Sequence, residues 1–219
     1  MGRLSERLRG DAEPIWSRIL EHPFVIELYE GSLPPEKFRY YVIQDYNYLI
    51  GMMRAYSILA SKADYELARL ALELAYLDAT TEMENYRRLL GRLGLNLDEV
   101  IRAEPAPTNA AYMNHLLATA VIGDPIDCLV ATLPCFWSYL EIGERHRGLL
   151  ERNRNELYRA WAQVYLTKEY KELVERLRLI IDELWNGENY ERHRRIFLIS
   201  SRYEWMFWEM AYEMEAWPI

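Results

Sequence analysis

The chemistry in this chain gathers around a few side chains, and the first is Cys135. Pro134 precedes it inside a stretch of helical periodicity, where a proline removes a backbone donor and opens space beside the next residue. Phe136, Trp137 and, one turn on, Tyr139 surround the thiol. A thiol so placed could be a nucleophile facing a flat ligand, although plain core packing accounts for the same pattern. Cys128 stands seven residues earlier, roughly 10 Å along the same helix, which is too far for a disulfide. Within Ile126-Asp127-Cys128-Leu129-Val130 it reads as a small buried hydrophobe.

Two carboxylates keep unusual company. Asp45 is in register with Tyr41, Tyr48, Leu49 and Met52 on an apolar stripe, and Glu204 has Phe207 and Trp208 one turn on. An acid on such a stripe is either paired with an arginine or kept for a ligand, and burial suits a glutamate to acid–base work. A thiol, two carboxylates and aromatic walls together suit a small, flat, amine-bearing heterocycle. Metal chemistry is disfavoured, because none of His22, His115, His146 and His193 has a Glu three residues before it and no zinc-like spacing occurs. Haem is a weaker third class, with His22 or His115 as a lone axial ligand. Phosphate-cradling glycine loops are absent.

The elements that must position these residues are helices, since no alternating run of β-branched residues supports a strand. Pro34-Pro35 opens a helix that continues to about Lys62, and Asp64 caps a second that reaches Leu93 before Gly94. Asn96, with Glu99 three residues on, starts a short one. Thr108 is expected to cap a helix ending at Gly123, and Asp124-Pro125 opens a long segment to about Arg152. Asn155 and Thr167 look like caps of two more, Asn186-Gly187 closes the second, and a last helix covers about Tyr190 to Glu215. Long helices with short connections mean a bundle, and no linker or repeat divides it, so residues 1–219 are assigned to a single all-α domain.

Composition supports this and narrows the partners. Of 219 residues 51% are hydrophobic, enough for a core and too much for disorder. Lys and Arg number 26 against 34 Asp and Glu, for a net charge of −8, so nucleic acid and anionic membrane are poor partners. The longest apolar run, about Cys128 to Trp137, is far short of the roughly 18 residues a membrane span needs. The charged start Met1-Gly2-Arg3-Leu4-Ser5-Glu6-Arg7 carries no signal segment, and a soluble cytoplasmic protein is expected.

An ordered set of motifs resembles the TenA family of thiaminase II enzymes, nearly end to end. It begins at His22-Pro23-Phe24, passes through Gly31-Ser32-Leu33-Pro34-Pro35 and reaches Gln44-Asp45-Tyr46-x-Tyr48-Leu49. Ala111-Tyr112, Leu133-Pro134-Cys135-Phe136-Trp137-x-Tyr139 and Tyr158-x-x-Trp161-x-x-x-Tyr165 follow, and Tyr203-Glu204-x-x-Phe207-Trp208 completes it. The proline–cysteine block with a distal glutamate is its most specific part. The resemblance implies the haem-oxygenase-like helical bundle and a hydrolase of 4-amino-2-methylpyrimidines. Such an enzyme converts 5-aminomethyl-pyrimidine to the 5-hydroxymethyl compound with loss of ammonia, or cleaves thiamine between pyrimidine and thiazole.

By the same resemblance Cys135 is the nucleophile, Glu204 the acid/base and Asp45 the holder of the aminopyrimidine edge. Tyr112 and Tyr165 hydrogen-bond around substrate and thiol, and Tyr48, Tyr139 and Phe207 are walls. No metal or organic cofactor is implied, the partner is a small pyrimidine, and a homotetramer is expected. Two positions depart from the family pattern, within Glu82-Met83-Glu84-Asn85-Tyr86, where Tyr86 stands near a family histidine, and at Tyr48, where phenylalanine is common. The alternative function is a non-catalytic pyrimidine-binding or regulatory protein of the same fold.

Overall fold

The computed structural model describes residues 2–219, apart from the side chains of Thr81 and Glu82. Met1 in the N-terminal reading and the Glu82 side chain in the motif around Tyr86 thus lie outside what is described. Every regular element among the described residues is helical. In order they are α1 (Leu4–Asp11), α2 (Glu13–Leu20), α3 (Pro23–Glu30), α4 (Pro35–Lys62), α5 (Tyr65–Leu77), α6 (Met83–Leu93), α7 (Leu97–Arg102), α8 (Pro107–Ile122), α9 (Pro125–Arg152), α10 (Glu156–Gln163), α11 (Lys168–Leu184) and α12 (Tyr190–Glu213). Among the described residues no helix is long and apolar enough to cross a membrane.

The chain forms two compact units. One takes the residues up to Pro34 together with Leu129–Tyr212, and the other takes Pro35–Cys128 with the tail Glu213–Ile219.

In the first unit, α1 to α3 serve as a common rail for α9 and α12. Trp16 meets both, with its indole N–H donating to Ser201 Oγ at 2.9 Å and its ring set edge-on to Trp137 at 5.6 Å. Higher up, Leu20 accepts from His146 at 2.7 Å and His22 pairs with Glu209 at 3.0 Å. Higher still, Asn153 donates to the carbonyls of Leu28 and Tyr29, and Tyr212 donates to Glu27. Both helices advance along the same rail in the same sense, so α9 and α12 run parallel. The end of α3 is closed by Gly31 in the left-handed region (φ 89°), where an added Cβ would overlap the Asn153 amide.

In the second unit α4 and α8 pack along their length. Gly51 allows a close approach, since a Cβ there would lie 2.9 Å from Met113 Cγ. At the far end the Lys62 ammonium donates to the carbonyls of Ala120, Val121 and Gly123, the orphan acceptors at the C-terminus of α8.

Most expected caps are present. Asp64, Asn96, Asn155 and Thr167 each accept from a backbone N–H in the first turn of α5, α7, α10 and α11. Three local expectations are corrected. Thr108 is not the cap of α8, which begins at Pro107 after Ala106; instead the Glu215 carboxylate accepts from Thr108 N at 2.9 Å and from its hydroxyl at 3.1 Å. The helix from Asp64 to Leu93 is not continuous α, because Asp78–Glu82 forms a π turn between α5 and α6. Finally, α12 ends at Glu213, where Met214 turns to φ 50° and frees the tail to reach α8.

Gly31 and Asn153 give a coupled prediction. Asn153→Ala removes the donor to two carbonyls and the acceptor for Asn155 N, and should cost about 1–3 kcal/mol in urea unfolding. Gly31→Ala should cost about 1–2 kcal/mol from its left-handed backbone alone, plus the overlap. The double variant should cost less than the sum, because removing the amide relieves the overlap. Strict additivity would show that Gly31 and Asn153 do not interact.

Candidate active site

Cys135 is half-buried on α9, where Pro134 interrupts the internal ladder of donors, and neither cysteine is in a disulfide. The Tyr170 hydroxyl, from the first turn of α11, donates to the Phe136 carbonyl beside it at 3.0 Å. One turn beyond Cys135, Tyr139 sits in an aromatic group with Tyr165 (ring centroids 4.8 Å), Trp208 (5.1 Å) and Trp161 (6.1 Å). Glu204 is buried, with 3% exposure, one turn before Trp208 on α12. Because α9 and α12 run parallel, Cys135 and Glu204 lie on the same side of the Tyr139–Trp208 contact. Phe207 is buried three residues after Glu204. Trp161 and Trp208 join this group although neither is among the residues the resemblance assigns to the site. The four-residue spacings Trp161–Tyr165 and Glu204–Trp208, each one helical turn, were the available signal.

The second unit carries the remaining named residues. Asp45 is half-buried on α4, and Tyr48 on the next turn meets Tyr112 of α8 with ring centroids 5.1 Å apart. Tyr86, at the departure from the family pattern, is buried, donates to the Val42 carbonyl and tilts against Tyr46 at 5.5 Å. Burial pushes its phenol upward, and the Asp45 charge adds to the effect. Tyr86 is thus committed to the backbone of α4.

His22 is occupied at both ring nitrogens. Nδ1 accepts from Phe24 N at the start of α3, which leaves Nε2 to donate to Glu209. That double engagement is a structural role, which leaves no nitrogen for the axial ligation considered from the sequence. Among the described residues no group of three His, Cys, Asp or Glu side chains could hold a metal ion.

The sequence matches the TENA/THI-4/PQQC family over residues 9–214, which spans both units. The chain belongs to that family. It is 35% identical over 210 residues to the aminopyrimidine aminohydrolase of Halalkalibacterium halodurans, covering 94% of each chain. It is 33% identical over 221 residues to the enzyme of that name from Bacillus subtilis, covering 98% of this chain and 92% of the relative. Among solved structures, a TenA homologue from P. horikoshii OT3 superposes with a TM-score of 0.95 at 50% identity, covering 97% of this chain and 99% of that one. A Shewanella denitrificans domain described as having a heme oxygenase-like fold has a TM-score of 0.79 at 13% identity, covering 95% and 92%. The fold of this TENA-family chain is therefore the haem-oxygenase-like helical bundle.

Burial pushes the Cys128 thiol up to about 12, outweighing the lowering effect of Lys62. Iodoacetamide at pH 8 should therefore label Cys135 and spare Cys128, as read by peptide mass spectrometry; equal labelling of both would contradict this contrast. The histidines give a second prediction. Burial lowers the pKa of His22, against the opposing pull of Glu209, and burial likewise lowers His115 and His146. Below the unfolded value near 6.5, the unfolded chain takes protons that the folded chain refuses. Stability is then present above that value and is lost as pH falls below it. His146→Gln should shallow this slope relative to the parent, and an unchanged slope would show that His146 does not contribute.

Proposed function

We propose that this chain is a hydrolase of 4-amino-2-methylpyrimidine compounds. It converts 5-aminomethyl-pyrimidine and water to the 5-hydroxymethyl compound and ammonia, cleaves thiamine to its pyrimidine and thiazole, or does both. The observation that carries the reading is the aromatic group around Tyr139 and Trp208, with a half-buried thiol and a buried carboxylate each one turn before it. The names of the two curated relatives point the same way.

Displacement at the exocyclic methylene is slow while the ring stays aromatic. The Cys135 thiolate adds to a ring carbon as Glu204 delivers a proton to a ring nitrogen, so the ring's electrons can then expel the amine, leaving from its ammonium form as ammonia, or the thiazole. Water adds to the methylene left behind and releases a proton to solvent, the ring nitrogen returns its proton to Glu204, the C–S bond breaks to give back the thiolate, and aromaticity returns. One hard step becomes several easier ones. The family resemblance assigns Asp45 to the aminopyrimidine edge, Tyr112 and Tyr165 to hydrogen bonds around substrate and thiol, and Tyr48, Tyr139 and Phe207 to the walls. Thiamine salvage by a cytoplasmic homotetramer completes the reading.

An ammonia-release assay on 5-aminomethyl-pyrimidine tests it, with thiamine as the second substrate. Cys135→Ser should reduce turnover of both to background while calorimetry still finds hydroxymethyl-pyrimidine bound. Glu204→Gln should lower kcat by roughly 10²–10⁴. Undiminished turnover in Cys135→Ser would overturn the nucleophile, and binding without any turnover in the parent would make the chain a binding protein.

A further inference from the structure

The second unit holds a buried polar cluster to which the proposed chemistry gives no part. Gln44 and Asn109 are 4% and 0% exposed. Gln44 Oε1 accepts from Ala106 N at 2.8 Å and from Asn109 Nδ2 at 3.0 Å, and Gln44 Nε2 donates to the Glu104 carbonyl at 3.2 Å. Asn109 Nδ2 also reaches the Gln44 carbonyl at 2.7 Å. One amide pair thus ties α4 to α8 and to the loop that leads into it.

The placement of this pair is informative. Tyr48 follows Gln44 by four residues on α4, and Tyr112 follows Asn109 by three on α8, so the amide contact and the Tyr48–Tyr112 contact occupy successive turns of one seam. Gly51 against Met113 and Lys62 against Ala120 continue the seam in the same sense, so α4 and α8 run parallel. An all-apolar seam between two long helices could slide or rotate with little penalty. Buried amides favour one register, because others would leave further donors and acceptors unpaired, whereas here the Asn109 Oδ1 acceptor alone of the pair lacks a partner among the described residues.

The geometry points to Gln44 and Asn109 as positioning residues that set Tyr112 against Tyr48 and so tune pyrimidine affinity without touching the substrate. This rests on the reading above that Tyr48 is a wall of the pyrimidine site and Tyr112 hydrogen-bonds around the substrate. Small misplacements of positioning groups cost much in recognition, so the lock should be visible in binding and not only in stability.

Gln44→Met and Asn109→Leu keep approximate size and remove the bonds. Both are compared with the parent by calorimetric Kd for hydroxymethyl-pyrimidine, by kcat and KM for ammonia release, and by the pH profile of Cys135 alkylation. The expected result is a Kd and KM raised about tenfold, kcat within about threefold, and an unchanged alkylation profile. Where a variant fails to fold, Asn109→Ser removes the Gln44 bonds with less disruption and is read the same way. A Kd within twofold of the parent in the folded variants, whatever their thermal midpoints, would overturn the proposal. Tyr112→Phe is the control: if it too leaves Kd unchanged, the substrate-holding reading is what fails.

Discussion

Trp16 is the contact on which the first unit depends. Its indole N–H is satisfied by Ser201, its edge meets Trp137, its face stacks on Phe197 at 6.0 Å, and the Arg9 guanidinium lies 4.3 Å over its ring. A tryptophan buried this way combines a large apolar area with one donor that must find a partner, so it has few acceptable positions. By meeting α9 and α12 at once it sets their relative height. The height in turn places Cys135 and Glu204 on one side of the Tyr139–Trp208 contact. Arg9 adds a second tie, because its guanidinium also grips Glu141 of α9 with two hydrogen bonds, a planar geometry that lysine could not supply.

Two helices take their N-terminal caps from distant parts of the chain. The first turn of α1 has no side-chain cap of its own, and the Asp182 carboxylate of α11 accepts from Ser5 N and Ser5 Oγ at 2.7 and 2.9 Å. In the second unit Glu215 does the same for α8, while Trp217 Nε1 donates to the Pro105 carbonyl. A carboxylate at a helix N-terminus satisfies orphan N–H groups and meets the positive end of the helix dipole. Here the favourable charge also joins elements far apart in sequence.

Local rules made much of this legible beforehand. The caps at Asp64, Asn96, Asn155 and Thr167 are short-range hydrogen bonds written in adjacent residues, and Pro125 opens α9 where a proline is tolerated. Cys128 could be read as a buried hydrophobe because Ile126, Leu129 and Val130 stand close to it in the sequence. Thr108 misleads because its sequence has the form of a cap, whereas the helix begins at Pro107 with Ala106 in the cap position. The π turn at Asp78–Glu82 left no signal, since one extra residue in a helix preserves composition and blurs periodicity. Gln44 and Asn109 were also silent, because their partners lie some 60 residues apart in the chain.

By itself the amino-acid sequence determined the helical class, most helix starts, and the residue types able to do the chemistry, because helix propensity, capping and amphipathic spacing act over a few residues. Which helices run parallel, at what height Tyr139 meets Trp208, and which tyrosine faces Tyr48 were decided only by tertiary packing. Those outcomes depend on large aromatic side chains and buried amides finding partners across the chain, and such contacts have no counterpart in local spacing.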